Sequence, residues 1–345
     1  MSIHTYTEDD WSVQTTSWGE GQPQLSEFDR RLTSSWEASM LQGHFKYILQ
    51  KGQLQTKIIP GKKRYVAQLN VPRSQERRKP DEINSLQQPF QANKFNFTKI
   101  KPEEILFELV KVPSTSSNEQ NVVNGSHDDK AARDCVEKTL NTYILCFQVL
   151  TVKSVELSLE TILLSKHRGF HVGFNSLCAF ASVNHLHLHA YYLEHELFVE
   201  SCPVRHLCGD LYELEVMPTK GFAFQLHGTT VPKLARTIHQ ITSYFHKCEI
   251  AHNLHIMRGT VFGDDISRTV RLFLWPRKKV IGVKDLDAFN VAVVELAGHL
   301  PIKVAELFDG LTEESINETI RSAALEDGEY EALKATVMEL CRTCH

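Results

Sequence analysis

Apolar residues recur at helical spacing over residues 230–247, and this is the most regular helix that the sequence predicts. Thr230 can cap its first turn, and Pro232 is tolerated there. A second helix is predicted around Val155–Ile162, with Gly169 as its stop. Further helices are predicted within 25–54, over 289–300 with Pro301 as the end, and over 330–340.

Strands are predicted where β-branched, aromatic and other apolar residues run together between polar turns. The predicted strands are 64–71, 105–110, 143–151, 170–174, 184–193, 253–257 and 270–275. Strands and helices do not alternate strictly, as they would in a doubly wound parallel sheet, so the sequence predicts an α+β fold. The polar, low-complexity stretch 113–133 is typical of a flexible loop.

Composition narrows the class of protein. The 345 residues favour two domains or one domain built from two similar halves. A hydrophobic fraction of 42% is too high for a mainly disordered chain. The net charge of -4 provides no basic field for nucleic acid, so no nucleic acid partner is expected. The sequence has neither a run long enough to span a membrane nor a secretory start, so we expect a cytoplasmic protein without a membrane partner.

Eight cysteines are present, and without an export signal they are expected to be reduced thiols. Only Cys341 and Cys344, beside His345, have a spacing typical of metal ligands. Because a structural zinc site needs four ligands, this pair alone predicts an exposed helix end and no metal.

The segment from His185 to His189 alternates histidine with leucine. In a strand, alternate side chains share a face, so His185, His187 and His189 are predicted to point one way. Two functions suit three such imidazoles. They could bind a metal ion, or one could attack phosphorus while its neighbours hold its tautomer and stabilise charge.

The residues before this segment favour phosphorus chemistry. Asn175, Ser176 and Ser182 lie in small, polar surroundings that are free of carboxylates. Such a loop can offer amide N–H groups and hydroxyls to a phosphate, so we expect an anion pocket. Arg258 is a further candidate for substrate binding, since guanidinium groups bind phosphates well.

The stretch from Ser182 to His189 resembles the histidine triad motif, and the serine five positions before His187 strengthens the likeness. The longer stretch 172–193 is similar to the GDP-D-glucose phosphorylase family, animal relatives of plant GDP-L-galactose phosphorylases. Three further blocks resemble the same family, and the likeness runs from about residue 25 to residue 303. These blocks are 95–100, 249–259 and 289–301.

The resemblance implies a histidine-triad-like fold, with helices packed on an antiparallel sheet. It implies that His187 attacks the α-phosphorus of GDP-glucose and expels glucose 1-phosphate, after which inorganic phosphate releases GDP. His185 and His189 would support the ring or the leaving oxygen, and no cofactor is needed. Water could replace phosphate, which would make the protein a nucleotide hydrolase, or a relative without turnover could simply bind guanine nucleotides.

The domain division expected from this resemblance has three parts. Residues 1–24 are expected to be a disordered tail, 25–200 the catalytic half and 201–345 a second, similar half. One segment departs from the family pattern, which has a strand, a Gly-His turn and another strand after the polar loop. Residues 134–152 lack the Gly-His turn, so we expect a core hairpin to be absent or replaced there.

Overall fold

The computed structural model describes residues 2–45, 54–76, 80–114, 148–282 and 289–342, without the side chains of 73–75. The strands are β1 (Ile3–Tyr6), β2 (Thr56–Ile58), β3 (Val66–Leu69), β4 (Glu108–Lys111), β5 (Phe170–Asn175), β6 (His189–Tyr192), β7 (Arg205–Cys208), β8 (Leu211–Leu214), β9 (Gly221–Gln225), β10 (Ala251–Thr260), β11 (Arg268–Arg277) and β12 (His299–Ile302). The helices are α1 (Glu27–Leu41), α2 (Val71–Glu76), α3 (Val152–Leu164), α4 (Val231–Lys247), α5 (Val293–Ala297), α6 (Ala305–Phe308), α7 (Glu313–Arg321) and α8 (Asp327–Arg342).

Seven strands form one antiparallel sheet in the order β6-β5-β10-β11-β9-β8-β7. Its centre is the pair β10 and β11, which are hydrogen-bonded along ten residues each. Every residue of β10 is buried, which agrees with strands covered on both faces. The α+β class and the antiparallel sheet are confirmed.

The two faces of this sheet contact different layers. Because side chains alternate along a strand, Val172 and Leu254 point to one face and His171 and His255 to the other. The first face packs against α3, α4 and α8 in the larger hydrophobic core. The second face packs against α5, α7 and a small sheet of order β12-β3-β2.

Local capping chemistry explains where the main helices begin. The predicted helix over 230–247 is confirmed as α4, and the Thr230 side chain accepts a hydrogen bond from the Lys233 amide. Thr151 and Ser154 cap α3 reciprocally. The prediction that Gly169 stops α3 is wrong, because the helix ends at Leu164.

Gly169 instead allows its backbone to lie close to the backbone of Leu193. A Cβ at this position would stand 1.8 Å from the carbonyl oxygen of Leu193, so no other residue fits without displacing the chain that follows β6.

The predicted helix over 289–300 is much shorter than expected. It is α5, and Gly298 ends it with φ of +106°, a left-handed conformation that suits glycine. The chain then forms β12, which pairs in parallel with β3 and contains Pro301. Pro301 is tolerated because β12 lies at the edge of the small sheet, where a missing N–H costs little.

Residues 2–24, which were expected to form a disordered tail, contact distant parts of the chain in this structure. β1 pairs in parallel with β4, and the Ser12 amide donates to the Leu163 carbonyl at 2.9 Å. The Trp18 indole donates to Glu200 at 2.7 Å. These contacts with distant parts of the chain offset the entropy lost on ordering a polar segment.

The region of the expected missing hairpin falls largely outside the described residues. Residues 115–147 are not described, so the absence of a hairpin over 134–152 stays a prediction, as does the loop over most of 113–133. The part of the predicted strand 143–151 that is described, 148–151, forms no strand and leads into α3. Within the described ranges, no helix is long and apolar enough to cross a membrane.

Candidate active site

The three histidines of the motif lie where the chain enters β6 at one end of the described sheet. The strand begins only at His189, so the prediction of a strand over 184–193 is wrong for residues before 189. The rings of His187 and His189 are nevertheless adjacent, edge to face, with centroids 5.2 Å apart. His185 is further along the approach, and the Phe97 ring lies 5.9 Å from it and 5.0 Å from His187.

Gln148 holds the backbone of His187 in place of a neighbouring strand. Its side-chain oxygen accepts from the His187 amide at 3.0 Å, and its side-chain nitrogen donates to the His187 carbonyl at 3.3 Å. The same nitrogen donates to the carbonyl of Asn175 at 2.8 Å. Gln148 is 2% exposed, and these bonds satisfy its amide. The side chain therefore fixes the position of the central histidine, a role that our sequence analysis did not assign.

A hydrogen bond to the backbone determines the tautomer of His187. Its Nδ1 lies 2.8 Å from the carbonyl oxygen of His185, and a carbonyl can only accept, so Nδ1 carries the proton. In the neutral ring, Nε2 then has the lone pair. The ring is partly buried, which leaves room for a ligand atom beside it.

His185 is held neutral by its surroundings. Burial lowers its pKa below the ordinary value of 6.5. Both ring nitrogens are shielded from solvent and, among the described residues, neither has a hydrogen-bond partner. Such nitrogens are costly unless a ligand supplies the missing bond. His185 is therefore suited to donate to, or accept from, a bound substrate.

The loop between β5 and the triad is fixed mainly by its own contacts. The Asn175 side-chain oxygen accepts from Asn253 at 2.6 Å and from the Val293 amide at 3.0 Å. The Ser176 hydroxyl donates to its neighbour's carbonyl and accepts from the His252 amide at 2.9 Å. Asn175 and Ser176 are both buried, so in this structure they hold the loop in place.

Some of the loop amides that were expected to bind an anion already donate hydrogen bonds within the loop. The amides of Ala179 and Ala181 both donate to the Ser176 carbonyl. Cys178 and Phe180 adopt left-handed backbone angles, with φ of 57° and 73°. Strained residues of this kind often cluster at functional sites. Ser182 is half-buried, and its carbonyl accepts from the Asp81 amide at 3.0 Å.

Arg258 does not lie at the triad. Its guanidinium is fully buried and donates to the carbonyls of Ser12, Val13 and Ser165. Burial lowers its pKa to about 10, so it stays charged at neutral pH. In this structure the guanidinium holds the N-terminal segment, and the expected contact of Arg258 with substrate stays a prediction. Arg271 and Arg277 are also buried and donate to backbone carbonyls.

Three further histidines, His171, His252 and His255, are buried in β5 and β10. The Tyr191 ring stacks on His171 at 5.0 Å, and its hydroxyl lies 3.0 Å from Nε2 of His255. Burial lowers the pKa of His252 to about 4, that of His255 to about 3 and that of His171 well below its ordinary value. All three are therefore neutral in the folded protein at pH 7.

We expect these histidines to make the folded state less stable in acid. In the unfolded chain each pKa is about 6.5, so below that pH the unfolded state binds protons that the folded state does not. Each histidine then lowers the free energy of unfolding by about 1.4 kcal/mol per pH unit, and above about pH 6.5 its contribution is fully present. Urea unfolding between about pH 7 and about pH 5 measures the slope.

The matched control for this pH dependence is His171→Phe, which keeps an aromatic ring against Tyr191 but cannot bind a proton. The slope of its free energy of unfolding against pH should be smaller than that of the natural chain by the contribution of about one histidine. Identical slopes in the two proteins would contradict the role of His171.

No group of three or more His, Cys, Asp or Glu side chains is arranged to hold a metal ion among the residues that the structure describes. Of the cysteine pair Cys341 and Cys344, the structure describes only Cys341. Cys341 is buried in α8, while residues 343–345 are not described. Cys341 is thus a core residue and not the exposed helix end that we expected.

The described antiparallel sheet, with the alternating histidine motif at one edge, agrees with the histidine-triad-like fold that the motif implies. Two family models cover nearly the whole chain. The first, described as "GDPGP1-like, N-terminal domain", matches residues 27–134 and 144–191, and the second, "GDPGP1-like, C-terminal domain", matches residues 196–344. The chain belongs to the GDPGP1-like family.

Individual relatives agree with this family. The chain is 40% identical to GDP-D-glucose phosphorylase 1 of Danio rerio, over 98% of each protein. It is 38% identical to GDP-D-glucose phosphorylase 1 of Xenopus laevis, over 98% of this chain and 96% of the relative.

A solved structure supports the fold. Yeast Ap4A phosphorylase Apa2 in complex with Ap4A superposes with a TM-score of 0.50, over 87% of this chain and 99% of that one. At 11% identity this likeness concerns the fold alone.

Proposed function

We propose that this chain is an enzyme with GDP-D-glucose phosphorylase activity, transferring GMP from GDP-glucose to inorganic phosphate through a guanylyl-histidine at His187. The observation that carries the proposal is the hydrogen bond from Nδ1–H of His187 to the carbonyl of His185, at 2.8 Å. Because Nδ1 carries the proton, Nε2 keeps its lone pair and is the reactive atom of a neutral imidazole. The relatives of this chain are named GDP-D-glucose phosphorylase 1.

The reaction has two balanced steps. Nε2 of His187 forms a bond to the α-phosphorus of GDP-glucose, and the bond from that phosphorus to the bridging oxygen breaks, so glucose 1-phosphate leaves. An oxygen of inorganic phosphate then attacks the same phosphorus, and the bond to Nε2 breaks to release GDP. The neutral imidazole suits both steps, because it is a good nucleophile near pH 7 and a good leaving group from phosphorus.

The remaining candidates support this transfer in different ways. Ser182 contributes a hydroxyl to the non-bridging oxygens, where charge develops in the transition state. His189, beside the His187 ring, and the neutral His185 assist the ring and the leaving oxygen. Asn175 and Ser176 act indirectly, by holding the loop. No resident metal or cofactor is required, and the partners are the small molecules GDP-glucose and phosphate.

The proposal assigns the chemistry to residues 25–200, the catalytic half, with 201–345 as a second half that completes the sheet. Gln148, Ser182 and the triad all lie in the first part, and the two family models meet between residues 191 and 196. We also propose a cytoplasmic location, because Cys178, Cys202, Cys208 and Cys248 are free thiols, which the reducing cytosol favours.

Product analysis with and without phosphate tests the function. With GDP-glucose and phosphate we expect GDP and glucose 1-phosphate. Without phosphate we expect one equivalent of glucose 1-phosphate and a protein heavier by one guanylyl group, measured by intact mass spectrometry. Free GMP in place of GDP would identify a hydrolase. Nucleotide binding with no product would identify a binding protein, and either result would overturn the proposal.

A further inference from the structure

Phe97 contacts two of the three histidines of the motif from a separate part of the chain. Its ring centroid lies 5.0 Å from that of His187 and 5.9 Å from that of His185. Aromatic rings are in contact when their centroids are roughly 4.5–7 Å apart, so the rings of Phe97 and His187 leave no room for water between them. The Phe97 side chain is half-buried, so its ring forms part of the boundary between the motif and solvent.

Local contacts fix the position of the Phe97 ring. Asn96 is buried, and its side-chain oxygen accepts from the Thr98 amide at 3.0 Å. This bond begins the short 3-10 turn Phe97–Lys99. The Phe95 ring packs edge to face on the Phe97 ring, with centroids 5.7 Å apart. The contact of Phe97 with the histidines is therefore a built feature of this segment.

Three neighbouring groups pack around the His187 ring. The carbonyl oxygen of His185 lies 2.8 Å from Nδ1, and the ring centroids of His189 and Phe97 lie 5.2 and 5.0 Å from that of His187. Nε2 belongs to the same small ring, so it lies at most one ring radius further from these groups than the centroid does. The rings of His189 and Phe97 therefore fill space close to the nitrogen that carries the guanylyl group in the proposed reaction.

The ring of His185 shows that water is excluded from this side of the motif. Both of its nitrogens are shielded from solvent, although the residue as a whole is only half-buried. The rings of Phe97 and Phe90 contact it, with centroids 5.9 and 6.4 Å away. Burial also lowers the pKa of His185 below its ordinary value. Phe97 contacts both His185 and His187, so the same ring contributes to the shielding of each.

Exclusion of water matters because two acceptors compete for a guanylyl-histidine. When phosphate attacks, its oxygen bonds to phosphorus, the bond to Nε2 breaks and GDP leaves. When water attacks, its oxygen bonds to phosphorus, the bond to Nε2 breaks, one proton passes to solvent and GMP leaves. Water is far more abundant than phosphate, so a phosphorylase needs a barrier against it. Closing a site to solvent is a general means of preventing the hydrolysis of reactive intermediates.

We propose that the Phe97 ring determines which acceptor reacts, by keeping water from the guanylyl group on His187 and so favouring phosphate. The inference rests on the proposed function and adds a residue that sets its acceptor specificity. Phosphate that binds in the site still reacts, because binding holds its oxygen against phosphorus. Unbound water has to approach phosphorus beside an apolar ring, where it loses hydrogen bonds.

The lifetime of the guanylyl-protein measures this shielding. The natural chain and Phe97→Ala are guanylylated with GDP-glucose in the absence of phosphate and freed of nucleotide. Loss of the adduct is then followed by intact mass spectrometry, together with the release of GMP. We expect the lifetime in Phe97→Ala to be shorter on the order of tenfold. With phosphate present, the share of GMP among the products should rise. Only molecules that carry the adduct are counted, so misfolded protein does not affect the lifetime.

Three further variants complete the comparison. Phe97→Leu keeps an apolar side chain against His187, so its adduct should last nearly as long as that of the natural chain. Phe97→Gln fills similar space but attracts water, and it replaces the alanine variant if that protein does not fold. Phe262→Ala removes another half-buried ring, which packs on Tyr212 of β8 with centroids 4.7 Å apart. Because four strands separate β8 from β6, this change should leave the lifetime unaltered.

The outcomes separate this inference from the proposed function. If the natural chain forms GDP and its adduct lasts no longer than that of Phe97→Ala, the function stands and the role of Phe97 is overturned. A Phe97→Ala protein that melts like the natural chain but forms no adduct also overturns it, because the ring then acts before the adduct exists. If the natural chain releases GMP in place of GDP, the proposed function is wrong, and shielding by Phe97 stands only if Phe97→Ala releases GMP faster still. A natural chain that yields neither adduct nor product overturns both.

Discussion

Replacing His187 with alanine is expected to lower guanylyl transfer from GDP-glucose by at least about 10,000-fold, because the bond-forming nitrogen is removed. Folding should be little affected, since the side chain is only partly buried and its hydrogen bond to the His185 carbonyl is worth about 1 kcal/mol. Steady-state turnover and the guanylyl adduct measured by intact mass should both disappear, while the melting temperature stays close to that of the natural chain.

His206→Ala is the control for this prediction. His206 is an exposed histidine on β7, at the far end of the sheet from β6, with Nε2 close to the carbonyl of Gly209. Its loss should change neither turnover nor adduct formation. A full equivalent of adduct on the His187→Ala protein would show that another residue is the nucleophile.

Elements whose signals are local could be predicted from the sequence. Thr230, Pro232 and the apolar spacing of α4 lie within the helix itself, and the structure places that helix over Val231–Lys247. The strands β10 and β11 were also predicted, although each is longer than the apolar core that identified it. The polar ends of β10 and β11 are also strand, because the two strands pair with each other over ten residues. The sequence of one segment does not indicate its pairing partner, so these ends could not be predicted.

Elements that depend on tertiary partners were not predictable in this way. The residues around Leu300 have apolar spacing that suits a helix, but Gly298 ends α5 and the chain pairs with β3 instead. Arg258 was predicted as a substrate-binding residue because guanidinium groups bind phosphates well. It is buried because carbonyl groups from two distant segments surround it. The sequence around Arg258 does not indicate those partners.

The reactive residues of the candidate site could be predicted from the sequence, but the contacts that hold them in place could not. The alternation of His185, His187 and His189 indicated the reactive group, whereas the segment around His187 proved not to be a strand. One signal could have identified the reason. Gln148 is a lone amide in the apolar run 143–151, and a buried amide needs hydrogen-bond partners. Its partners are the backbone groups of His187, for which it replaces a neighbouring strand.

Gln148 is therefore expected to act as a positioning residue, and Gln148→Glu should slow guanylyl transfer on the order of a hundredfold. The carboxylate can still accept from the His187 amide, but it cannot donate to the carbonyls of His187 and Asn175, which it would repel. A displacement of the ring by about 1 Å is enough for a loss of this size. Leaving the buried carbonyls unpaired should also lower stability, by about 1–3 kcal/mol each.

Two readouts separate positioning from a general loss of stability. The rate of adduct formation in a single turnover without phosphate should fall, whereas the affinity for GMP should change little, because the Gln148 side chain bonds only to the backbone of His187 and Asn175. Gln87→Glu is the control, since Gln87 is exposed and donates only to carbonyls at the end of α4, so its rate should match the natural chain. If folded Gln148→Glu forms the adduct at the natural rate, Gln148 is a structural residue only, because correct placement of His187 would then not depend on it.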